Sequence, residues 1–456
     1  MHNRRTSTSD SPRKNRDVTL RLYDMVTGDD DARLCRDIPE DQCREQPRNF
    51  LWQVAAQSFS KVGDALVDTK TVLPWLLGLV GAPPFFYGLL VPIRESVALL
   101  PQILVGSAIR RWPVRKGFWV VSSVMQGTCV ILMGVVAVSG AGGVAAGLGI
   151  VALLVLFSLA RGVASIAAKD TLGKTVSKRR RGRVSGYSAT IAGIVAVGVG
   201  LFLVLDPGQS GSDWPVYLML AAAGLCWFLG AWIYSTIKEF PGATEGGQGI
   251  REILRSQLLL LLKDPELQKF LLARALMIST ALVAPLYVAL AQQKSGQTLE
   301  NLGWLIISTG LAGAMSSSVW GAVSDKSSRL TMVVAASCAG TLGVLVLVVM
   351  RIAPNLTESI AFYAVVFFIL GVAHAGIRIG RKTHIVDMAS GDRRAEYVAL
   401  SNTLIGAILL GLGALTGVVI GIGLEFAIAV LSVMSLLGAI AGFTLRDVQA
   451  QSESDG

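Results

Sequence analysis

The chain has 456 residues, of which 52% are hydrophobic and 16% charged, with a mean hydropathy of +0.57. A water-soluble protein of that composition could not cover its apolar surface, so a lipid bilayer is the implied solvent and an all-α integral membrane protein the implied class. The net charge of +10 is read, from where the bases fall, as membrane topology and contact with anionic lipid headgroups, which excludes nucleic acid as the partner.

The chain begins with a polar segment, residues 1–49, that has no short cleavable apolar core, so no secretory signal is expected. Residues 1–16 are basic and read as disordered, whereas 18–49 carry scattered apolar residues (Leu20, Leu22, Met25, Leu34, Ile38) suited to packing beneath a bundle. Twelve apolar stretches follow, at 52–80, 84–109, 117–140, 142–165, 184–205, 214–237, 268–292, 301–324, 330–351, 358–380, 395–422 and 424–445. Each is long enough to cross ~30 Å of hydrocarbon at ~1.5 Å per residue. They lack the period-two alternation of an outer-membrane barrel, so helices are predicted.

Residues 50–237 thus predict one six-helix bundle and 268–446 a second, joined by a linker, 238–267, and followed by a short tail, 447–456. Within the linker, Ile250 to Lys263 predicts an amphipathic helix lying on the membrane face. Lys and Arg gather in the N-terminal segment, the linker and the loops on that same side, while Lys294 and Arg351 stand on the other. Retention of bases in the cytoplasm puts both termini there, and a bacterial inner membrane is the expected location.

The five cysteines are scattered: Cys35 and Cys43 precede the spans, and Cys129, Cys226 and Cys338 lie within them. Neither a disulfide framework nor a metal cluster is indicated, and no cofactor is expected. No Gly-x-Ser-x-Gly, His-Glu-x-x-His or phosphate loop occurs, and the chain has only three histidines, so an enzyme is not predicted.

The halves echo one another. Lys169, Arg180, Arg181, Ser188, Thr190, Gly193, Gly198 and Gly200 recur 213 positions later as Lys382, Arg393, Arg394, Ser401, Thr403, Gly406, Gly411 and Gly413. A repeat of half the chain length in an apolar protein predicts two pseudo-symmetric bundles facing each other, with a solute site near the midplane.

Ionisable residues inside spans are the best pointers to chemistry, because a charge in hydrocarbon costs several kcal/mol unless it faces a cavity or a partner. Asp64 and Asp68 share a predicted helix face with Lys61 and Thr71, and Arg94 and Glu95 lie at a similar depth in the second span. A cross-helix network of Asp64, Asp68, Arg94 and Glu95 is expected, either as a proton-coupling device or as a static cluster. The positions 215 further on, Ser279, Val283, Thr309 and Gly310, carry no charge, which points to the first half for ion coupling. Arg161, near the end of the fourth span, reads as a pathway residue or an interfacial arginine. His374 aligns with it in the repeat and can titrate near neutrality or simply be hydrogen-bonded. Arg274 and Asn402 are further candidates on the second side.

The loop after the eighth span reads Gly321, Ala322, Val323, Ser324, Asp325, Lys326, Ser327, Ser328, Arg329. It resembles the signature loop of the major facilitator superfamily, G-x-x-x-D-[RK]-x-G-[RK]-[RK]. In the first half the corresponding loop keeps Gly106 and the bases Arg110, Arg111, Arg115 and Lys116, but has arginine where the family has aspartate. The fifth span has no Gly-Pro step, which disfavours exchange. The resemblance implies a twelve-helix secondary transporter, acting as a monomer, that moves a small solute by alternating access with proton coupling. It further implies that Gly321, Asp325, Lys326 and Arg329 staple neighbouring helices at the cytoplasmic gate. The alternatives are an uncoupled facilitator and a non-transporting sensor.

Overall fold

A computed structural model describes Tyr23, residues 40–99, Ile109, and residues 111–205, 213–242, 244, 250–389 and 393–449. Among these residues the chain is helical, with no strand. The helices are α1 (Glu40–Leu66), α2 (Val72–Leu79), α3 (Phe85–Pro92) running into a π turn (Ile93–Val97), α4 (Lys116–Val138) and α5 (Gly143–Thr175). They continue as α6 (Lys178–Leu205), α7 (Trp214–Ser235), α8 (Ile250–Lys263), α9 (Pro265–Met277), α10 (Ser279–Ser295) and α11 (Leu299–Lys326). After α12 (Ser328–Ile352) come a 3-10 turn (Pro354–Glu358), α13 (Ile360–Met388), α14 (Arg394–Ile420) and α15 (Leu424–Phe443).

Nine of these are long and apolar enough to cross a membrane among the described residues: α4 to α7, the α9–α10 pair, and α12 to α15. α11, which is bent, makes a tenth. The first two predicted spans are not among them, because neither is one continuous helix. Stretch 52–80 breaks between Leu66 and Val72, and stretch 84–109 gives a short helix and a π turn, with residues 100–108 outside the described set.

Both interruptions follow from local chemistry. Pro74 lacks an N–H and its ring crowds the carbonyl four residues back, at Lys70, so α1 cannot run on into α2. Asp68 takes over as the turn residue: its Oδ1 accepts from the Lys70 backbone N–H at 2.8 Å and the Thr71 hydroxyl at 3.2 Å. Pro92 ends α3 in the same way, and the extra residue of the π turn re-aims Arg94 and Glu95. Asp68 therefore leaves the helix that carries Asp64. Some helix starts elsewhere carry side-chain caps, Asp264 accepting from Glu266 N and Leu267 N, and Ser327 accepting from Leu330 N.

α1 begins at Glu40, ahead of the expected bundle boundary at residue 50. Tyr23 is buried beneath it, edge-on to Phe50 at 5.6 Å and accepting from Gln46. The other apolar residues expected to pack there, Leu20, Leu22, Met25, Leu34 and Ile38, lie outside the described residues. The linker forms α8, with Leu258, Leu259 and Leu262 exposed. Large apolar side chains such as Val121, Ile194, Trp232 and Phe443 are also exposed, a surface stable only against lipid.

α4 packs between α5 and α7, and α1 packs on α6 and α7; in the second half α12 packs between α13 and α15, and α13 also packs on α11. Small residues permit the approaches, Gly127 against Gly224 and Gly340 and Gly343 against Ser432. Residues before the linker meet residues after it at several places among the described residues. α3 crosses α14 at Gly88, Gly413 and Gly417; α6 crosses α11 at Gly200 and Gly303; and α10 meets α2 and α3. In the last contact the buried Gln292 donates from Nε2 to the Trp75 carbonyl at 3.0 Å and accepts from the Tyr87 hydroxyl at 3.4 Å.

A side chain at Gly413 would collide with the ring of Pro92, whereas Gly411 has open space around it. Gly413→Leu is expected to cost about 1–3 kcal/mol through overpacking, read as a lower melting temperature of the purified protein, with Gly411→Leu unchanged.

Candidate functional site

The interruption in the first span opens onto a cavity of about 830 Å³ lined from both halves of the chain. Asp68, Lys70 and Thr71 reach it from the α1–α2 break, Thr190 and Gly193 from α6, Thr280 from α10, Thr309 and Gly310 from α11, and His374 and Arg378 from α13. Its volume falls in the range of small-molecule sites. Broken helices beside it leave backbone groups free to face a solute, the arrangement expected at a transporter midplane.

Two polar groups stand out, of which the second lines this cavity, while Arg161 of the first lines a smaller one of about 260 Å³ with Ser60, Lys61 and Ser185. In the first, Arg94 of the π turn bonds Asp64 Oδ1 at 2.7 Å, and Arg161 of α5 pairs with Asp64 Oδ2. Arg161 also donates to Ser60 Oγ at 3.2 Å, and the Arg94 guanidinium lies over the Phe157 ring at 4.9 Å. One carboxylate is thus held by two guanidiniums from two other elements, each oxygen on a different one. Lys61, one turn before Asp64, donates instead to the Ser185 carbonyl of α6 at 2.7 Å.

In the second group, Lys70 Nζ lies 2.8 Å from His374 Nε2, a contact that joins the α1–α2 break to α13. An ammonium only donates, so Nε2 accepts and the ring proton sits on Nδ1, which faces Thr280 Oγ1 at 3.5 Å. Glu95, on the π turn, makes no hydrogen bond or ion pair among the described residues. Arg274 is buried, bonded to Ser401 Oγ and, at 3.0 Å, to Asn402 Oδ1.

The four residues expected to form one network are therefore divided. Asp64 and Arg94 come together with Arg161, Asp68 is engaged by its own turn, and Glu95 bonds to none of them. Sequence reasoning missed Lys70, Arg378 and Arg381. The spacing His374, Arg378, Arg381 puts all three on one helix face, the signal that would have found the two arginines.

The loops differ from one another. Gly106 and Arg110 lie outside the described residues. Arg115 pairs with Asp170 of α5, and its backbone N–H and that of Lys116 donate to Glu239 at 2.6–2.9 Å, capping the start of α4. The Glu239 side chain is fully buried and also takes Lys174 at 2.9 Å. Lys116 Nζ donates to the Ser235 and Ile237 carbonyls at the end of α7. This loop thus ties α4, α5 and α7, and no distance to Arg111 enters it. In the second half Asp325 and Lys326 are exposed, and Gly321 has open space where a side chain would go. There the chain after α15 does the tying: Asp447 accepts from Ser327 Oγ at 2.8 Å and pairs with Arg329 at 3.4 Å, while Gln449 accepts from Ser328 N at 3.1 Å.

Breaking a buried pair by removing one partner is costly, so Glu239→Ala is expected to destabilise by about 3–5 kcal/mol. Asp325→Ala, at an exposed site, is expected to stay within about 0.5 kcal/mol. Thermal denaturation in detergent measures both.

Comparison with known proteins bears on the whole arrangement. Residues 269–455 match the family model of the Major Facilitator Superfamily. No curated protein matches the chain in sequence. Among solved structures, the D-xylose–proton symporter has a TM-score of 0.64 at 12% identity, over 88% of this chain and 98% of that one. The nucleoside transporter NupG gives 0.63 at 12% identity, over 87% and 98%. The inward-open xylose transporter XylE from E. coli gives 0.61 at 12% identity, over 88% and 99%. The chain thus resembles the major facilitator superfamily in sequence across its second half and shares the fold of these transporters across most of its length.

Proposed function

We propose that the protein is a secondary transporter that carries a small solute by alternating access and is coupled to protons. The observation that carries this reading is the cavity of about 830 Å³ between elements of the two halves, with ionisable side chains at the breaks in otherwise apolar spans. In this reading the chain has twelve spans in two pseudo-symmetric six-helix bundles, 50–237 and 268–446, with the two interrupted stretches as the first and second spans. The bundles rock as a monomer about the cavity. The basic loops put both termini and α8 in the cytoplasm of a bacterial inner membrane, against anionic headgroups. The contacts of Gln292 with Trp75 and Tyr87 then close the outer side, and the state described faces inward.

Coupling is assigned to the acids near the breaks in the first two spans. Asp64, held by Arg94 and Arg161, ties α1 to the π turn and α5 in this state, and Glu95 is the acid without a hydrogen-bond partner among the described residues. An acid that loses its cationic neighbours as the bundles rock is the one that binds a proton, because burial then favours its neutral form. Arg161 and His374 complete the pathway in this scheme, His374 by holding Lys70. The solved proteins of this fold include a xylose–proton symporter, which supports coupling of the same kind.

In proteoliposomes loaded with a pH-sensitive dye, adding the carried solute outside is expected to acidify the lumen. Glu95→Gln is expected to slow that proton entry at least about tenfold, on the scale of a lost charged partner, while solute counterflow persists. Solute entry without any acidification would contradict coupling, and no solute movement at all would contradict transport.

A further inference from the structure

The charges around the cavity do not balance, and the imbalance goes beyond the transport reading to the class of solute. Of the charged side chains that line it, Lys70 and Arg378 are positive and Asp68 is negative, and Arg381 stands one turn beyond Arg378 on the same face of α13. Two less one leaves one positive charge uncompensated on the lining, and Asp68 is already bonded to Lys70 and Thr71 in the break before α2. His374 adds no negative charge, since it accepts from Lys70.

The cations are also poorly partnered. Arg378 and Arg381 have no ion pair or hydrogen bond within the described residues, and Arg378 is exposed on the cavity wall. Arg274 is satisfied by neutral acceptors, Ser401 and Asn402, and its Nε is buried without a bond. Guanidiniums at membrane depth without a carboxylate are unstable unless an anion or water reaches them. A cationic solute would add to the imbalance, and a neutral one would leave it. Much of the remaining lining is apolar, with Ala65, Ala189, Ile306, Phe367 and Leu370.

We propose that the cavity binds a small organic anion with an apolar body, its negatively charged group held by Arg378 and Lys70 of the lining with Arg381 one turn further along α13, and its body against Phe367 and Leu370. The planar forks of the two arginines match a carboxylate or phosphate oxygen pair, and α13 presents them one turn apart. The transported solute would be of this class, a step that rests on the transport reading; the binding step does not.

The test uses the purified full-length protein and pairs of acids with their uncharged primary amides: benzoate and benzamide, naphthoate and naphthamide, octanoate and octanamide, with inorganic phosphate as a further arm. At least one acid is expected to raise the melting temperature by several degrees where its amide does not. Arg378→Gln and Arg381→Gln are each expected to weaken that apparent affinity at least about tenfold, with Arg378→Lys intermediate and the unliganded melting temperature of Arg378→Gln unchanged. Amides that stabilise as well as their acids, no stabilisation by any acid, or affinities unaltered in both glutamine variants would overturn the anion site. Inorganic phosphate acting as strongly as the organic acids would overturn the role of the apolar wall. An acid that binds in this way but is not carried into proteoliposomes would overturn the transport reading and leave the anion site standing.

Discussion

An ionised side chain in hydrocarbon is stable only where protein or water supplies what the lipid cannot, and the rest of this structure depends on how that constraint is met. The chain meets it by interrupting helices. The turn at Asp68 puts Lys70 on irregular backbone beside a cavity, and the π turn after Pro92 carries Arg94 and Glu95 on irregular backbone of its own. Irregular backbone is itself tolerated at membrane depth only where it is buried in protein or lines such a space. Charge, break and cavity are therefore one feature, and each explains the other two.

The two ionic clusters do different physical work. Asp64 with Arg94 and Arg161 is a closed set, one carboxylate shared between elements that all precede the linker. The Lys70–His374 contact crosses from the α1–α2 break to α13 and so depends on the relative position of the two halves. A motion that separates them costs that bond and leaves the first cluster whole. The same division holds at the loops. Glu239 fastens α4, α5 and α7 to each other, and Asp447 with Gln449 fastens the chain end to the start of α12. Both ties join elements of one half, which favours movement of each half as a unit.

Much of the fold was legible in the sequence, because hydropathy over about twenty residues reports burial in lipid directly. The stretches that became α4 to α7 and α12 to α15 were read as spans for that reason. The breaks were not read, since Asp68, Thr69, Lys70 and Thr71 are too short a polar run to divide an apolar window, and the effect of Pro74 falls four residues before it. The site was legible in pieces. Asp64, Arg94 and Arg161 were each singled out, but the pairing of Arg161 with Asp64 needs the packing of α5 on the π turn. Arg378, inside the stretch 358–380, and Arg381, just beyond it, were not singled out, although His374, one turn before them, shares their face. The expectation that the second half carries little charge at the site arose from comparing only the repeat positions of Asp64, Asp68, Arg94 and Glu95. The cations of that half enter from α9 and α13.

The central claim is that the cavity between the two halves opens to each side in turn. Distances between spin labels test it most directly, with one pair at Lys178 and Val386 near the end that carries the termini, and another at Ala141 and Leu356 at the opposite end. Measured across solute conditions and from acidic to neutral pH, the two distances are expected to change in opposite directions, one pair closing as the other separates. Distances that stay fixed at both ends, or that lengthen and shorten together, would contradict the account.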